Sequence, residues 1–263
     1  MRMPTGNYSA DPAGETWDDR TVRLLGTDAM ERLRQASVLV VGIGGVGGYA
    51  AETLVRSGIG KLTIIDSDNV APSNINRQLI ATRSTVGLPK SIMYAKRFHD
   101  INPEAVIDAL QIYLSPDQTD EILDNNFDFV LDCIDTIAPK TALLTHCLRR
   151  RIPVISAMGA GGRTDPSKVI YSDIWSTRDD GLARAVRHQL KKAGVKRPLM
   201  TVCSTESVIR HSLMEVNGTN KRTSYGSIAA VPAVFGIFMA SYAIKKLTMP
   251  SNIQITSPAN DPS

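Results

Sequence analysis

Cysteine is scarce in this chain of 263 residues: Cys133, Cys147 and Cys203 form an odd set without Cys-x-x-Cys spacing. That excludes a disulfide framework and a four-thiolate zinc site, and it fits a reducing cytoplasm. Histidine is equally sparse, and none of His99, His146, His188 and His211 stands at close metal-ligand spacing with another. Aromatic residues make up 5% of the chain, which gives little support for base stacking. The first sixteen residues hold neither an apolar block with a cleavage site nor a basic amphipathic segment, so neither secretion nor organelle targeting is expected. Long apolar runs are missing with one exception, Ile228 to Ile244, seventeen residues without a charge. It falls short of the ~20 residues needed to span a bilayer, and Pro232 and Gly236 interrupt it, so a buried core helix and no membrane association are expected.

What is present suits a globular α/β chain. Hydrophobic residues make up 43% of the sequence, and the net charge of +4 permits an anionic partner without requiring one. The valine-rich run Val38 to Val41 is followed by glycines, and Val46, Ala50, Leu54 and Val55 then recur at helical spacing up to Ser57. Lys61 to Asp66 reads as the next strand, which completes a β-α-β unit. Helices are predicted over Pro89 to Asp100, Pro116 to Asp124 and Asp179 to Ala193, with another opened by Pro139. Strands are predicted near Val106 to Tyr113, Phe127 to Asp132 and Pro153 to Ala157, with an apolar stretch at Val169 to Tyr171. This alternation implies a Rossmann-like, mostly parallel sheet with helices on both faces and an elaborated C-terminal half. Such sheets bind ligands at the carboxyl ends of their strands.

Gly42, Gly44 and Gly47 satisfy G-x-G-x-x-G, with Gly45 extra. The glycines allow a tight turn and close approach to a phosphate, while the helix that follows offers free N–H groups. Asp66, at the end of the second strand, is placed to accept hydrogen bonds from ribose hydroxyls. These features suit NAD and ATP alike. The next loop separates them: Ser73-Asn74-Ile75-Asn76-Arg77-Gln78 brings a cation and three amides, and Lys90 follows at the start of a helix. Arg77 and Lys90 suit a triphosphate under attack better than a nicotinamide pocket. Asp135, just past the fourth strand, is the candidate Mg²⁺ ligand, whereas Asp132 is as well suited to capping the following turn.

Gly42-Ile43-Gly44-Gly45-Val46-Gly47, Asp66-Ser67-Asp68, Asn74 to Gln78, Lys90 and Asp132-Cys133-Ile134-Asp135 resemble, in order and spacing, the adenylylating domain of ubiquitin-activating-like enzymes. The resemblance implies ATP as the ligand, with Gly42, Gly44, Gly45, Gly47, Asp66, Asp68, Asn74, Arg77, Gln78 and Lys90 around it and Mg²⁺ on Asp135. It also implies a homodimer in which Arg23 reaches the partner's nucleotide. Arg77, Lys90, Asp135 and Arg23 are thereby the expected catalytic set.

The second half lacks the two Cys-x-x-Cys pairs usual in members that activate a protein carboxyl terminus. Gly159 to Pro166, Leu182 to Arg187 and Ser204-Thr205-Glu206 instead resemble the branch that dehydrates threonylcarbamoyladenosine beside the anticodon of certain tRNAs. That branch uses ATP to form the cyclic base. Gly181 departs from a usual proline, and Thr201-Val202-Cys203 replaces a Cys-Val-Phe-like run, which puts a catalytic role for Cys203 in question. The alternative is an adenylyltransferase for a ubiquitin-like sulfur carrier. Arg184, Arg187, Lys191 and Lys192, with His188, fall on one side of the predicted Asp179 to Ala193 helix and are the candidate tRNA contacts; Lys196, Arg197 and Arg149 to Arg151 add to the basic surface. The expected organisation is a flexible arm (1–16), one adenylylating domain (17–249) and a flexible tail (250–263). Within the domain, 17–160 is the nucleotide-binding half and 161–249 the tRNA and dimer half. The residues alone do not decide whether Na⁺ or K⁺ occupies the Gly159 to Gly162 loop, or whether a sulfur-relay or cysteine desulfurase system is a partner.

Overall fold

The computed structural model describes residues 16–215 and 223–249; the expected tail, and the expected arm apart from Thr16, lie outside the described residues. Two helices that periodicity did not reveal come first, α1 (Asp19–Leu25) and α2 (Thr27–Gln35), separated by Gly26 at a φ of 85°. Helix α1 buries none of its residues, which is why it carries no apolar stripe. The alternating region follows as β1 (Ser37–Val41), α3 (Gly47–Arg56), β2 (Lys61–Ile65), α4 (Lys90–Ile101), β3 (Val106–Leu110), α5 (Thr119–Leu123), β4 (Phe129–Asp132), α6 (Ile137–Arg150) and β5 (Val154–Ala157). The remaining elements are β6 (Val169–Asp173), α7 (Gly181–Lys192), β7 (Met200–Ser204), β8 (Leu213–Glu215), β9 (Thr223–Tyr225) and α8 (Ala230–Thr248).

Seven strands form one sheet in the order β3-β2-β1-β4-β5-β7-β6. All pair in parallel except β6, which runs antiparallel to β7 at the edge. The Rossmann-like expectation therefore holds. Strand β7 had been missed because Met200 to Ser204 is short and almost wholly buried between β5 and β6, so it shows no alternation. The expected helix over 116–124 divides into a single 3₁₀ turn (Pro116–Gln118) and α5. Pro139 stands third in α6 rather than first, still inside the first turn where its missing N–H costs nothing.

Strand β1 shows why the sheet is covered twice. Val38 and Val40 enter the core shared with α3, α4 and α8, while Leu39 and Val41 enter the opposite core with Leu123, Leu143 and Cys147. The apolar Ile228 to Ile244 stretch falls mostly within α8, which buries Val231, Pro232, Phe235, Gly236, Met239, Ala240 and Ala243. A Cβ at Gly236 would lie 2.3 Å from the Val46 carbonyl oxygen, so its absence lets α8 press against the start of α3. Helix α8 is thereby braced against the glycine loop, with Pro232 beside Gly45.

Candidate active site

Strand β1 lies between β2 and β4, and the chain leaves these neighbours in opposite directions, so a crevice opens where β1 ends. The glycine loop fills that point. Gly42 has a φ of 82°, and a Cβ there would meet the Cys133 carbonyl oxygen at 2.9 Å. A Cβ at Gly47 would come within 1.8 Å of the Gly42 carbonyl oxygen. The turn therefore closes on itself and tolerates no side chain at either position.

Asp66 organises the adjoining rim. Its Oδ2 accepts from Ile43 N at 2.9 Å and its Oδ1 from Asp68 N at 2.9 Å. Lys90, only 3% exposed, donates from Nζ to Asp68 Oδ2 at 2.8 Å and lies 4.0 Å from Asp66 Oδ1. Burial pushes the Asp66 carboxyl above the usual carboxylate range, opposed by the Lys90 ammonium and the two backbone N–H groups. The next loop packs across the glycines: Gln78 Nε2 lies 3.4 Å from the Cβ position of Gly44, and Arg77 Cγ 3.5 Å from that of Gly45. Gln78 Oε1 is buried and has no hydrogen-bond partner, which suits a ligand donor. Arg77 Nη1 donates to Ser73 O at 2.8 Å and to Asn76 Oδ1 at 3.0 Å, while Asn74 Oδ1 accepts from Ala71 N at 3.1 Å and shapes the loop.

On the far side of β1, Asp132 is fully buried. Its Oδ2 receives Lys140 Nζ at 2.7 Å and Ser156 Oγ at 2.6 Å, and its Oδ1 receives Ile134 N at 3.2 Å. Asp132 thus takes the turn-capping role, reinforced by a buried ion pair that the sequence reading had missed. The signal was present, since Lys140, Leu143, Leu144 and Cys147 recur along one face of α6 and are all buried. Asp135 is exposed at the mouth, immediately before α6. Among the described residues no group of three or more His, Cys, Asp or Glu gathers into a metal cage. A single carboxylate beside a phosphate site still suits Mg²⁺, which takes one or two carboxylates together with phosphates and water.

The second half adds a buried junction over the end of β5. Asp180, the N-cap of α7, accepts from Gly159 N at 2.9 Å and Ala183 N at 2.8 Å. Arg163, 2% exposed, lies 3.6 Å from Asp180 Oδ2 and donates to Gly159 O and to Glu206 O. Glu206 in turn receives the backbone N–H groups of Thr164 and Asp165. The Gly162 carbonyl accepts from Ile209 N at 2.8 Å. A monovalent cation at this loop would compete with those donors.

One expectation changes. Arg187 does not belong to an outward basic face: its guanidinium turns under α7 and donates to Ile174 O, Thr177 O and Thr177 Oγ1, fixing the preceding loop. Arg184, Lys191 and Lys192 are exposed, with Lys191 Nζ 5.9 Å from the centre of the Trp175 ring. Cys203 is 4% exposed and packs among Ile174, Ala183 and Leu190. Burial pushes its thiol up, opposite to what a nucleophile requires. The catalytic role in question for Cys203 therefore has no support. Arg23 stands on the exposed α1, 2.7 Å from Asp19 Oδ2 on its own helix.

A glycine turn at a topological switch point, an aspartate on its rim and two cations beside it define a nucleotide-binding α/β domain. The ThiF family model matches residues 18–260, and the chain belongs to that family. Among its relatives, the tRNA threonylcarbamoyladenosine dehydratase of Bacillus subtilis (strain 168) is 38% identical over 231 residues, covering 85% of this chain and 91% of the relative. The protein of the same name from Escherichia coli (strain K12) is 36% identical over 254 residues, covering 89% and 95%. The crystal structure of the E. coli tRNA N6-threonylcarbamoyladenosine dehydratase in complex with ATP superposes with a TM-score of 0.82 at 35% identity, covering 91% of this chain and 96% of that one.

Proposed function

We propose that this chain is an ATP-dependent dehydratase of threonylcarbamoyladenosine in tRNA. The observation that carries the reading is a pair of side-chain clusters following two strands, β1 and β5, that flank β4 in the same parallel sheet. The glycine loop, Asp66 and Lys90 form a nucleotide seat at the end of β1, and the Arg163–Asp180–Glu206 cluster roofs the end of β5. Both halves lie within the span shared with the dehydratases.

In this reading the threonyl carboxylate attacks the α-phosphate of ATP, forms an acyl adenylate and releases pyrophosphate. The carbamoyl group of the same side chain then attacks the activated carbonyl, closes the ring and expels AMP. Water is lost from the base, and its oxygen leaves with AMP. Nucleophile and electrophile share one side chain, so ring closure gains effective molarity and needs no enzyme thiol. Asp66 holds the ribose, the glycine loop holds the phosphates, and Arg77 and Lys90 neutralise charge as the α-phosphate is attacked. Asp135 would hold Mg²⁺, which supplies further charge neutralisation on the phosphates.

The proposal extends to a single adenylylating domain over 17–249, a cytoplasmic setting, and a homodimer in which Arg23 serves the partner's nucleotide. Arg184, Lys191 and Lys192 contact tRNA phosphates. A sulfur-relay or cysteine desulfurase partner enters only as an auxiliary, since no step uses sulfur. The test is to incubate the protein with ATP, Mg²⁺ and tRNA bearing threonylcarbamoyladenosine and then weigh the nucleosides. Loss of one water with stoichiometric AMP is the expected result, and an unchanged nucleoside mass would refute it.

A further inference from the structure

Tyr225 ends β9 and stands at the root of the β8–β9 hairpin, with its cross-strand neighbour Leu213 beside it. One side of Tyr225 rests on bare backbone. A Cβ at Gly161 would lie 3.1 Å from Tyr225 Cβ, and one at Gly162 would lie 3.1 Å from Tyr225 Cδ1 and 2.7 Å from Val208 Cγ1. Gly162 also adopts a φ of 73°, so two glycines let the loop after β5 lie directly against the tyrosine. The contact is stitched by backbone bonds of 2.8 Å from Gly162 N to Gly226 O, Gly226 N to Ser212 O and Ile209 N to Gly162 O. The ring is therefore held while 39% of the residue stays exposed, and Leu213 is 46% exposed.

This shelf is tied to the nucleotide loop. Two residues beyond Tyr225, Ser227 O accepts from Asn76 Nδ2 at 2.8 Å, and Asn76 adjoins Arg77 over the glycine turn. The surrounding charge favours a polyanion. Arg210 and His211 are exposed beside β8, whereas Glu206 is occupied by Thr164 and Asp165 N–H groups and Asp180 by Gly159, Ala183 and Arg163. A clamped aromatic ring with an apolar neighbour, and an exposed arginine three residues before that neighbour in the chain, matches the chemistry of an unpaired base on a phosphate chain.

We propose that the exposed side of Tyr225 is a stacking platform for an unpaired nucleobase of the RNA substrate, next to the nucleoside that reacts. The inference rests on the tRNA reading above. Low aromatic content concealed it, because a single ring suffices when the backbone beneath holds it.

The experiment uses the full chain with ATP, Mg²⁺ and an anticodon stem-loop RNA bearing the modified adenosine. Tyr225→Ala is expected to raise the KM for RNA about tenfold, the range of one lost base stack, with kcat and the KM for ATP close to wild type. Tyr225→Phe and Tyr225→Trp should retain the wild-type KM. Fluorescence of the Tyr225→Trp protein should be quenched by the RNA beyond any change in the parent, whose own tryptophans include Trp17 and Trp175. An unchanged RNA KM in Tyr225→Ala would overturn the platform. So would a Tyr225→Phe defect as large as that of Tyr225→Ala, or a fall in sedimenting mass in Tyr225→Ala, which would make the shelf a protein contact. If wild-type protein dehydrates no RNA, the functional reading fails, yet quenching of Tyr225→Trp still reports whether a base stacks there.

Discussion

Lys140 Nζ lies 2.7 Å from Asp132 Oδ2, and neither side chain is exposed to solvent. The pair joins the end of β4 to the first turn of α6 and so fixes the turn that carries Asp135. Burial pushes the Asp132 carboxyl upward, and the ammonium of Lys140 and the hydroxyl of Ser156 oppose it. Lys140→Met should cost about 3–5 kcal/mol, because it strands a buried carboxylate. Adding Asp132→Asn should recover part of that loss in guanidinium unfolding curves. Additive losses in the double variant would show that the two groups are not coupled.

Two glycines should respond oppositely to alanine. At Gly47 the new methyl would overlap the Gly42 carbonyl oxygen at 1.8 Å, so the turn must open. We expect a loss of about 1–3 kcal/mol, together with weakened ATP binding by calorimetry. At Gly181, the first residue of α7, nothing lies within 4 Å of the added Cβ. Gly181→Ala should be neutral or gain about 0.5–1 kcal/mol, with ATP binding unchanged.

Replacement of Cys203 by serine should leave turnover close to wild type, and acid-quenched reactions should contain no thiol-sensitive adduct. Cys147 is comparably inert, its thiol pushed up to about 12 chiefly by burial. A covalent RNA or protein adduct lost specifically in Cys203→Ser would reverse this conclusion.

Basic residues on α7 divide by where they point. Arg184→Ala and Lys192→Ala should each reduce the slope of log affinity for tRNA against log salt by about 0.7–0.9 and leave the melting temperature unchanged. Arg187→Ala should instead lower the melting temperature, because its guanidinium bonds Ile174 and Thr177. Equal salt slopes for all three variants would contradict the division.

Glu52 on α3 receives Arg97 Nε at 2.6 Å from α4 and Arg56 Nη2 at 2.8 Å. Burial raises its pKa, but the hydrogen bonds from Arg97 and Arg56 outweigh that and hold it below its ordinary 4.5. A depressed carboxylate stabilises the fold above its unfolded pKa, and that contribution fades as pH falls through the folded value. Melting temperatures should therefore decline below about pH 4.5, and Glu52→Gln should lower the plateau and flatten this part of the decline. A decline of unchanged steepness in the variant would assign the acid sensitivity elsewhere.

The nucleotide seat was legible because its signals are local. Gly42 to Gly47, Asp66 and Lys90 lie within one β-α-β-α stretch, where spacing reports strand ends and helix starts directly. Boundaries shifted where a rule had two outcomes, as with Pro139 in the third rather than the first position of α6. Helix α1 and strand β7 gave no usable periodicity, one for lack of burial and the other for burial on nearly every side, whereas α2 buries Ala29, Met30 and Leu33 on one face and its short apolar stripe went unread. The Tyr225 shelf was invisible because the glycines beneath it lie more than sixty residues away in the chain.

Side-chain fates separate the two sources of information. Sequence alone determined the parallel α/β architecture, the glycine turn and the carboxylate on its rim, since backbone geometry over a few tens of residues follows from glycine placement and apolar period. Tertiary structure alone decided that Asp132 pairs with Lys140, that Arg187 turns inward, that Cys203 is sealed and that Tyr225 is open. Whether a charged, nucleophilic or aromatic group is free to act depends on what desolvates or neutralises it. Those neighbours arrive from distant segments only when the chain packs.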